Sequence, residues 1–107
     1  MIEQRRSKRA HLFYYIRVYD RNTRRLFGHA VDLSEGGMMI MSDEPIKTNI
    51  RLNLALEDTL DMDGDSLIDF DAECRWCNND FTHALYDAGV KFISPSEKIK
   101  ELVQAYV

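Results

Sequence analysis

The sequence predicts a mainly β chain, a six-stranded antiparallel β-barrel with a C-terminal α-helix. Three observations predict it. Six short segments read as strands, most of them by alternating apolar and polar residues with a period of two and one as a short apolar run, turn-forming residues separate them, and the last dozen residues switch to helical spacing. With 107 residues, 45% apolar content and only five Gly and two Pro, the chain is expected to be one globular domain, 1–107, able to bury a core without metals or disulfides.

The first strand is predicted over residues 12–18, where Leu12, Tyr14, Ile16 and Val18 share one face and Arg17 and Tyr19 the other. Asp20-Arg21-Asn22-Thr23 is a turn by composition. Residues 25–34 alternate again, with Phe27, His29, Val31 and Leu33 on one face and the small Gly28 and Ala30, followed by Asp32 and Ser34, on the other. Small residues there leave open space in front of two polar side chains. Gly36-Gly37 reads as a tight hairpin turn, and residues 38–41 form a short apolar strand stopped by Ser42, Asp43 and Pro45.

Ile50, Leu52, Leu54 and Leu56 alternate with Arg51, Asn53 and Ala55 as a half-buried strand, and an acidic loop follows over residues 57–66. Ile68, Phe70, Ala72, Cys74 and Trp76 line one face of the next strand, and residues 86–93 make the last one around Val90 and Phe92. The helix is predicted over 95–106, with Ser94 as cap, Pro95 at the first helical position and Glu97 completing a capping box. Ile99, Leu102, Val103 and Tyr106 then form its apolar stripe. Residues 11–93 are the expected barrel, and residues 1–10 an expected flexible basic arm.

Net charge is -4, unevenly spread. Residues 1–29 hold eight basic side chains against Glu3 and Asp20, while the remainder is strongly acidic. A small anion can be received at the basic end, whereas a long nucleic acid would be repelled by the rest of the surface. The two cysteines, Cys74 and Cys77, are too few for a disulfide framework, and no apolar run reaches the length of a signal core or a membrane span. The expected setting is the cytoplasm, with no membrane partner.

Arg5 and Arg9, four residues apart, can close on one compact dianion, because guanidinium is planar, permanently charged and forked for phosphate oxygens. Asp32-x-Ser34-x-x-Gly37 adds a carboxylate and a hydroxyl on one strand face, followed by a glycine that permits close backbone approach. A carboxylate suits the N–H donors on the Watson–Crick edge of guanine. Arginines for phosphate and an acceptor for guanine together specify a guanine nucleotide better than either alone.

These residues resemble the signature of the bacterial PilZ domain, RxxxR followed by [D/N]xSxxG, here Arg5-Arg6-Ser7-Lys8-Arg9 and Asp32-Leu33-Ser34-Glu35-Gly36-Gly37. The resemblance extends to the Cys74-Arg75-Trp76 strand end, the Gly89-Val90-Lys91-Phe92 strand and the terminal helix. It implies a receptor for cyclic di-GMP, with Arg5 and Arg9 gripping phosphate and guanine and Asp32, Ser34 and Gly37 surrounding one guanine. Gln4, Arg6 and Gly36 are further candidates, Arg6 being either a third phosphate contact or solvated. The arm is expected to fold over Asp32 and Ser34 on binding and to create a surface for an unidentified protein partner, in control of motility, adhesion or exopolysaccharide. The chain is expected to act as a monomer or dimer and to need no cofactor other than this ligand.

Competing readings are weaker. Cys74-x-x-Cys77 lacks a second ligand pair for zinc, and residues three apart on a regular strand face opposite ways. The Asp61-Met62-Asp63-Gly64-Asp65 loop has Ser66 and Ala72 where a calcium loop needs Gly and Glu. No nucleophile, base and orienting group assemble at sensible positions, so no enzyme is expected. The alternatives are a nucleotide-independent interaction module of the same family and, behind it, a small nucleic-acid-binding barrel using Phe13, Tyr14 and Tyr15.

Overall fold

The computed structural model describes residues 9–64, 66–79 and 84–107. Six strands, β1 (Arg9–Asp20), β2 (Leu26–Ser34), β3 (Gly37–Ser42), β4 (Arg51–Glu57), β5 (Leu67–Asn78) and β6 (Tyr86–Ile93), precede one helix, α1 (Glu97–Tyr106). Every pairing is antiparallel, and the strands close in the order β1-β2-β3-β6-β5-β4. Closure removes the free edges that an open sheet of apolar alternation would leave. Ile16, Val18, Leu33, Ile40, Leu54, Leu56 and Cys74 fill the interior.

β1 starts at Arg9, so Arg9 and Ala10 belong to the barrel and not to the expected arm. Four register shifts interrupt the ladders, one of them at Phe27, and the other three change the predicted faces. On β1, His11 is opposite Asp32 and Ile16 opposite Ala30, so four residues of β1 face the single Val31 of β2. Leu12 drops into the core, while Phe13, Tyr14 and Tyr15 are carried outward. Tyr14 is thus on the surface and not on the predicted buried face. The bulged residues leave the period-two alternation, and Ile16 and Val18 return to the predicted inward face after it.

The second bulge places Val31 as an extra residue of β2 against β3, between the Ala30–Ile40 and Asp32–Met39 pairs. Ala30 and Leu33, three apart, both reach the core. Gly28 and Ala30 therefore face inward and Asp32 and Ser34 outward, where alternation had put all four together. The third, at Arg75 of β5, lies between the Cys74–Val90 and Trp76–Gly89 pairs. It sends Trp76 to the surface and turns Cys77 toward the core, so the two cysteines share a side despite their spacing.

The helix begins two residues later than predicted, because Ser96 is its cap and accepts from the Ile99 N–H at 3.2 Å. Ser94 instead takes a left-handed conformation, φ 48°, that turns the chain out of β6. Ile99, Leu102 and Val103 are buried, whereas Tyr106 is partly exposed and meets Thr59 through its hydroxyl at 2.7 Å. The helix touches β2 and β5, which lie across the ring from one another, and so closes one mouth of the barrel. Among the described residues no helix is long and apolar enough to cross a membrane.

Candidate functional site

Beside the helix-closed mouth, the β2–β3 turn and the start of β1 carry the predicted residues. Antiparallel register sets Arg9 opposite Ser34 and His11 opposite Asp32. The Arg9 guanidinium donates from Nη1 to Asp32 Oδ1 at 2.8 Å, and the same oxygen accepts from the Met39 N–H at 3.0 Å. The Asp32 side chain is 8% exposed and that of Arg9 61% exposed. A buried carboxylate without partners is strongly disfavoured, and here the cation and the amide supply them. The guanidinium keeps further N–H donors turned to solvent, so Asp32 orients Arg9 without using it up.

Ser34 is buried and donates to the Gly37 carbonyl at 3.3 Å, closing the turn. The two glycines differ. A side chain at Gly37 would fall on the Val90 carbonyl of β6, so this position is required by strand packing, whereas nothing lies within 4 Å of the place a side chain would take at Gly36. Gly37 thus carries a packing constraint and also lines the adjoining groove. Gly36 presents the open face, and its carbonyl accepts from the Phe92 N–H at 2.8 Å.

Arg9, Ser34, Gly36 and Gly37 line a groove of about 280 Å³ whose other walls include Met38, Met39, Arg75, Trp76, Gly89, Val90 and Lys91, with Asp32 behind Arg9. The bulge at Arg75 brings Trp76 here, and Gly89 makes room for the indole, since a side chain at Gly89 would overlap the ring. The result is three cations, Arg9, Arg75 and Lys91, around one half-exposed aromatic ring. Chemically this can attract phosphate and stack a planar base. Beneath it, burial first and the neighbouring Cys77 second push the Cys74 thiol above its ordinary value.

Structure thus brings Arg9, Asp32, Ser34, Gly36 and Gly37 together. Gln4, Arg5 and Arg6 lie outside the described residues. Sequence reasoning did not assign Arg75, Trp76 or Lys91 to the site. Strict alternation places Trp76 in the core, and only the bulge reverses that. Glu35, in the middle of the turn, accepts from Gln104 of α1 at 3.2 Å, which ties the groove to the helix.

A model of the PilZ domain matches residues 3–107. No curated protein sequence matches the chain. Among solved structures, the Bacillus subtilis inhibitor of motility MotI/DgrA superposes with a TM-score of 0.74 at 16% identity, over 97% of this chain and 50% of that one. The PilZ domain of YcgR from Escherichia coli, solved with cyclic di-GMP, gives 0.68 at 16% identity over 95% of this chain and 87% of that chain. YcgR in complex with cyclic di-GMP gives 0.65 at 18% identity, over 96% of this chain and 44% of that one. The chain therefore spans about half the length of MotI/DgrA and less than half of YcgR.

Proposed function

The chain belongs to the PilZ domain family, and from that premise we propose that it is a cyclic di-GMP receptor, a binding module and not a catalyst, acting in the cytoplasm. The observation that carries the reading is the Arg9–Asp32 pair at the rim of a cationic groove walled by Trp76. In this reading Asp32 and Ser34 would meet a guanine edge, and Arg9, Arg75 and Lys91 would hold phosphate. The fold likeness to the YcgR domain that holds cyclic di-GMP supports the choice of ligand.

A groove of about 280 Å³ is just below the range of roughly 300–1,000 Å³ for pockets that enclose a small molecule. A cyclic dinucleotide would extend beyond it. Arg5 and Arg6 precede Arg9 by no more than four residues, a reach of about 13 Å when extended, so they can close on the phosphates from outside. Signal output would pass from the β2–β3 turn through Glu35 and Gln104 to α1, and from there to a protein partner.

Trp76 is the only tryptophan, so its emission reports on this groove alone. Titration with cyclic di-GMP, with cyclic di-AMP and GMP as controls, is expected to give saturable change only with cyclic di-GMP. Arg9→Ala should weaken binding by about tenfold or more, as for loss of a charge-assisted contact. Asp32→Ala should weaken it similarly, by freeing Arg9 and removing the guanine acceptor. No response from folded wild type at high micromolar ligand would leave a nucleotide-independent interaction module of this family as the account.

A further inference from the structure

Three apolar side chains stand out of this surface almost completely: Phe13 is 97% exposed, Tyr14 90% and Met62 98%. Solvated leucines and valines at half exposure are ordinary, but bulky side chains held wholly in water mark a contact surface. Neither the two rings nor Met62 is left out by chance of a loose chain. The β1 bulge is pinned at both ends by the buried Leu12 and Ile16, so its ring tips are held outward. Met62 sits in a loop closed by Asp61, which accepts from the Asp63 and Ser66 N–H groups at 3.1 and 3.2 Å.

The two protrusions carry opposite charge. Among the described residues, 9–19 hold Arg9 and Arg17 and no acid, whereas 57–64 hold Glu57, Asp58, Asp61 and Asp63 and no base. They also leave the barrel side by side. β4 runs antiparallel to β1, with Leu56 opposite Val18, and Arg17 reaches Glu57 at 3.6 Å, so the acidic loop departs next to the bulge.

Adjacent patches of opposite sign, each with an apolar tip, are self-complementary about a two-fold axis. We infer that the β1 bulge and the acidic β4–β5 loop form one face that docks a second copy of this chain, with Phe13 and Tyr14 of each copy set against Met62 and the half-exposed Leu60 of the other. A two-fold contact pairs one patch with the other in both directions, so basic bulge meets acidic loop twice and like charges are kept apart. An anionic polymer or bilayer would meet the acidic loop together with the bulge, which disfavours both. Four aromatic rings burying about 150–250 Å² each come to roughly 600–1,000 Å², and Met62 and Leu60 bring the contact toward the roughly 1,200 Å² at which stable interfaces begin. The dimer is accordingly expected to be concentration-dependent.

The test is sedimentation velocity on the full chain without nucleotide, so that its outcome is separate from that of the receptor reading. Wild type should show a monomer–dimer equilibrium that weakens with salt. Phe13→Ser and Met62→Ser should each raise the dissociation constant by about tenfold or more, as for loss of a buried large side chain. Mixing the two variants should restore part of the association, because the mixed dimer keeps one intact bulge–loop contact. Both positions are solvent-facing, and circular dichroism of each variant should be unchanged. A wild type that stays monomeric at the highest soluble concentration overturns the proposal. So does a dimer that both substitutions leave intact, or a mixture that associates no better than its components.

Discussion

At the scale of single residues, the turn shows how a motif position can carry a packing constraint of its own. Gly37 stands where any side chain would strike the Val90 carbonyl, and backbone cannot yield as a side-chain tip can. Gly37→Ala is expected to destabilise the fold by about 1–3 kcal/mol, as overpacking against fixed atoms does, while Gly36→Ala should leave the denaturant midpoint nearly unchanged. Urea unfolding of both variants checks this; equal midpoints would remove the packing role. Asp32 was legible as a chemical residue from its neighbours Ser34 and Gly37 in sequence. Its partner was not: that Arg9, 23 positions earlier, lands on its Oδ1 depends on the β1–β2 register.

At the scale of elements, bulges decide what alternation leaves open. The strands themselves were legible, because period-two segments and a short apolar run with turn residues between them have few other ways to bury their apolar faces. The exceptions are Tyr14, the Gly28–Ser34 face, Trp76 and Cys77, and each lies in or beside a bulge. No residue type announces an insertion at Val31 or Arg75, since both suit a regular strand. The bulge at Arg75 has a measurable chemical consequence. It leaves Cys77 partly exposed and Cys74 buried, with its thiol pushed up by burial and then by Cys77. Because thiolate is the reactive form, a maleimide at neutral pH should modify Cys77 well before Cys74, as read by mass spectrometry of peptides. Faster modification of Cys74 would contradict the inward turn. The helix start belongs here too: Ser94 and Ser96 are equivalent caps by composition, and the left-handed turn at Ser94 selects the second.

At the scale of the whole molecule, charges far apart in sequence are gathered by barrel closure. Asp71 of β5 accepts from Arg51 of β4 at 2.7 Å and from Arg21 of the β1–β2 turn at 2.6 Å. Those two guanidinium groups, Arg51 first, hold its carboxyl below the ordinary 3.8. A depressed folded-state value adds stability above the unfolded value, and the addition is lost as pH falls through the folded one. Between about pH 5 and about pH 3, wild type should therefore lose more stability than Asp71→Asn, by up to about 1 kcal/mol for a pair open to solvent. Chemical denaturation at both pH values measures it, and parallel losses would show that the cluster adds nothing. The sequence by itself determined the strand count, the closing helix and the chemical character of Arg9, Asp32 and Ser34, because periodicity and residue type are local properties. Only the tertiary structure decided the Arg9–Asp32 pairing, the presence of Trp76, Arg75 and Lys91 around one groove, and the outward Phe13 and Tyr14. Those depend on register, and register is set by how all six strands close around one core, which no short stretch of the chain contains.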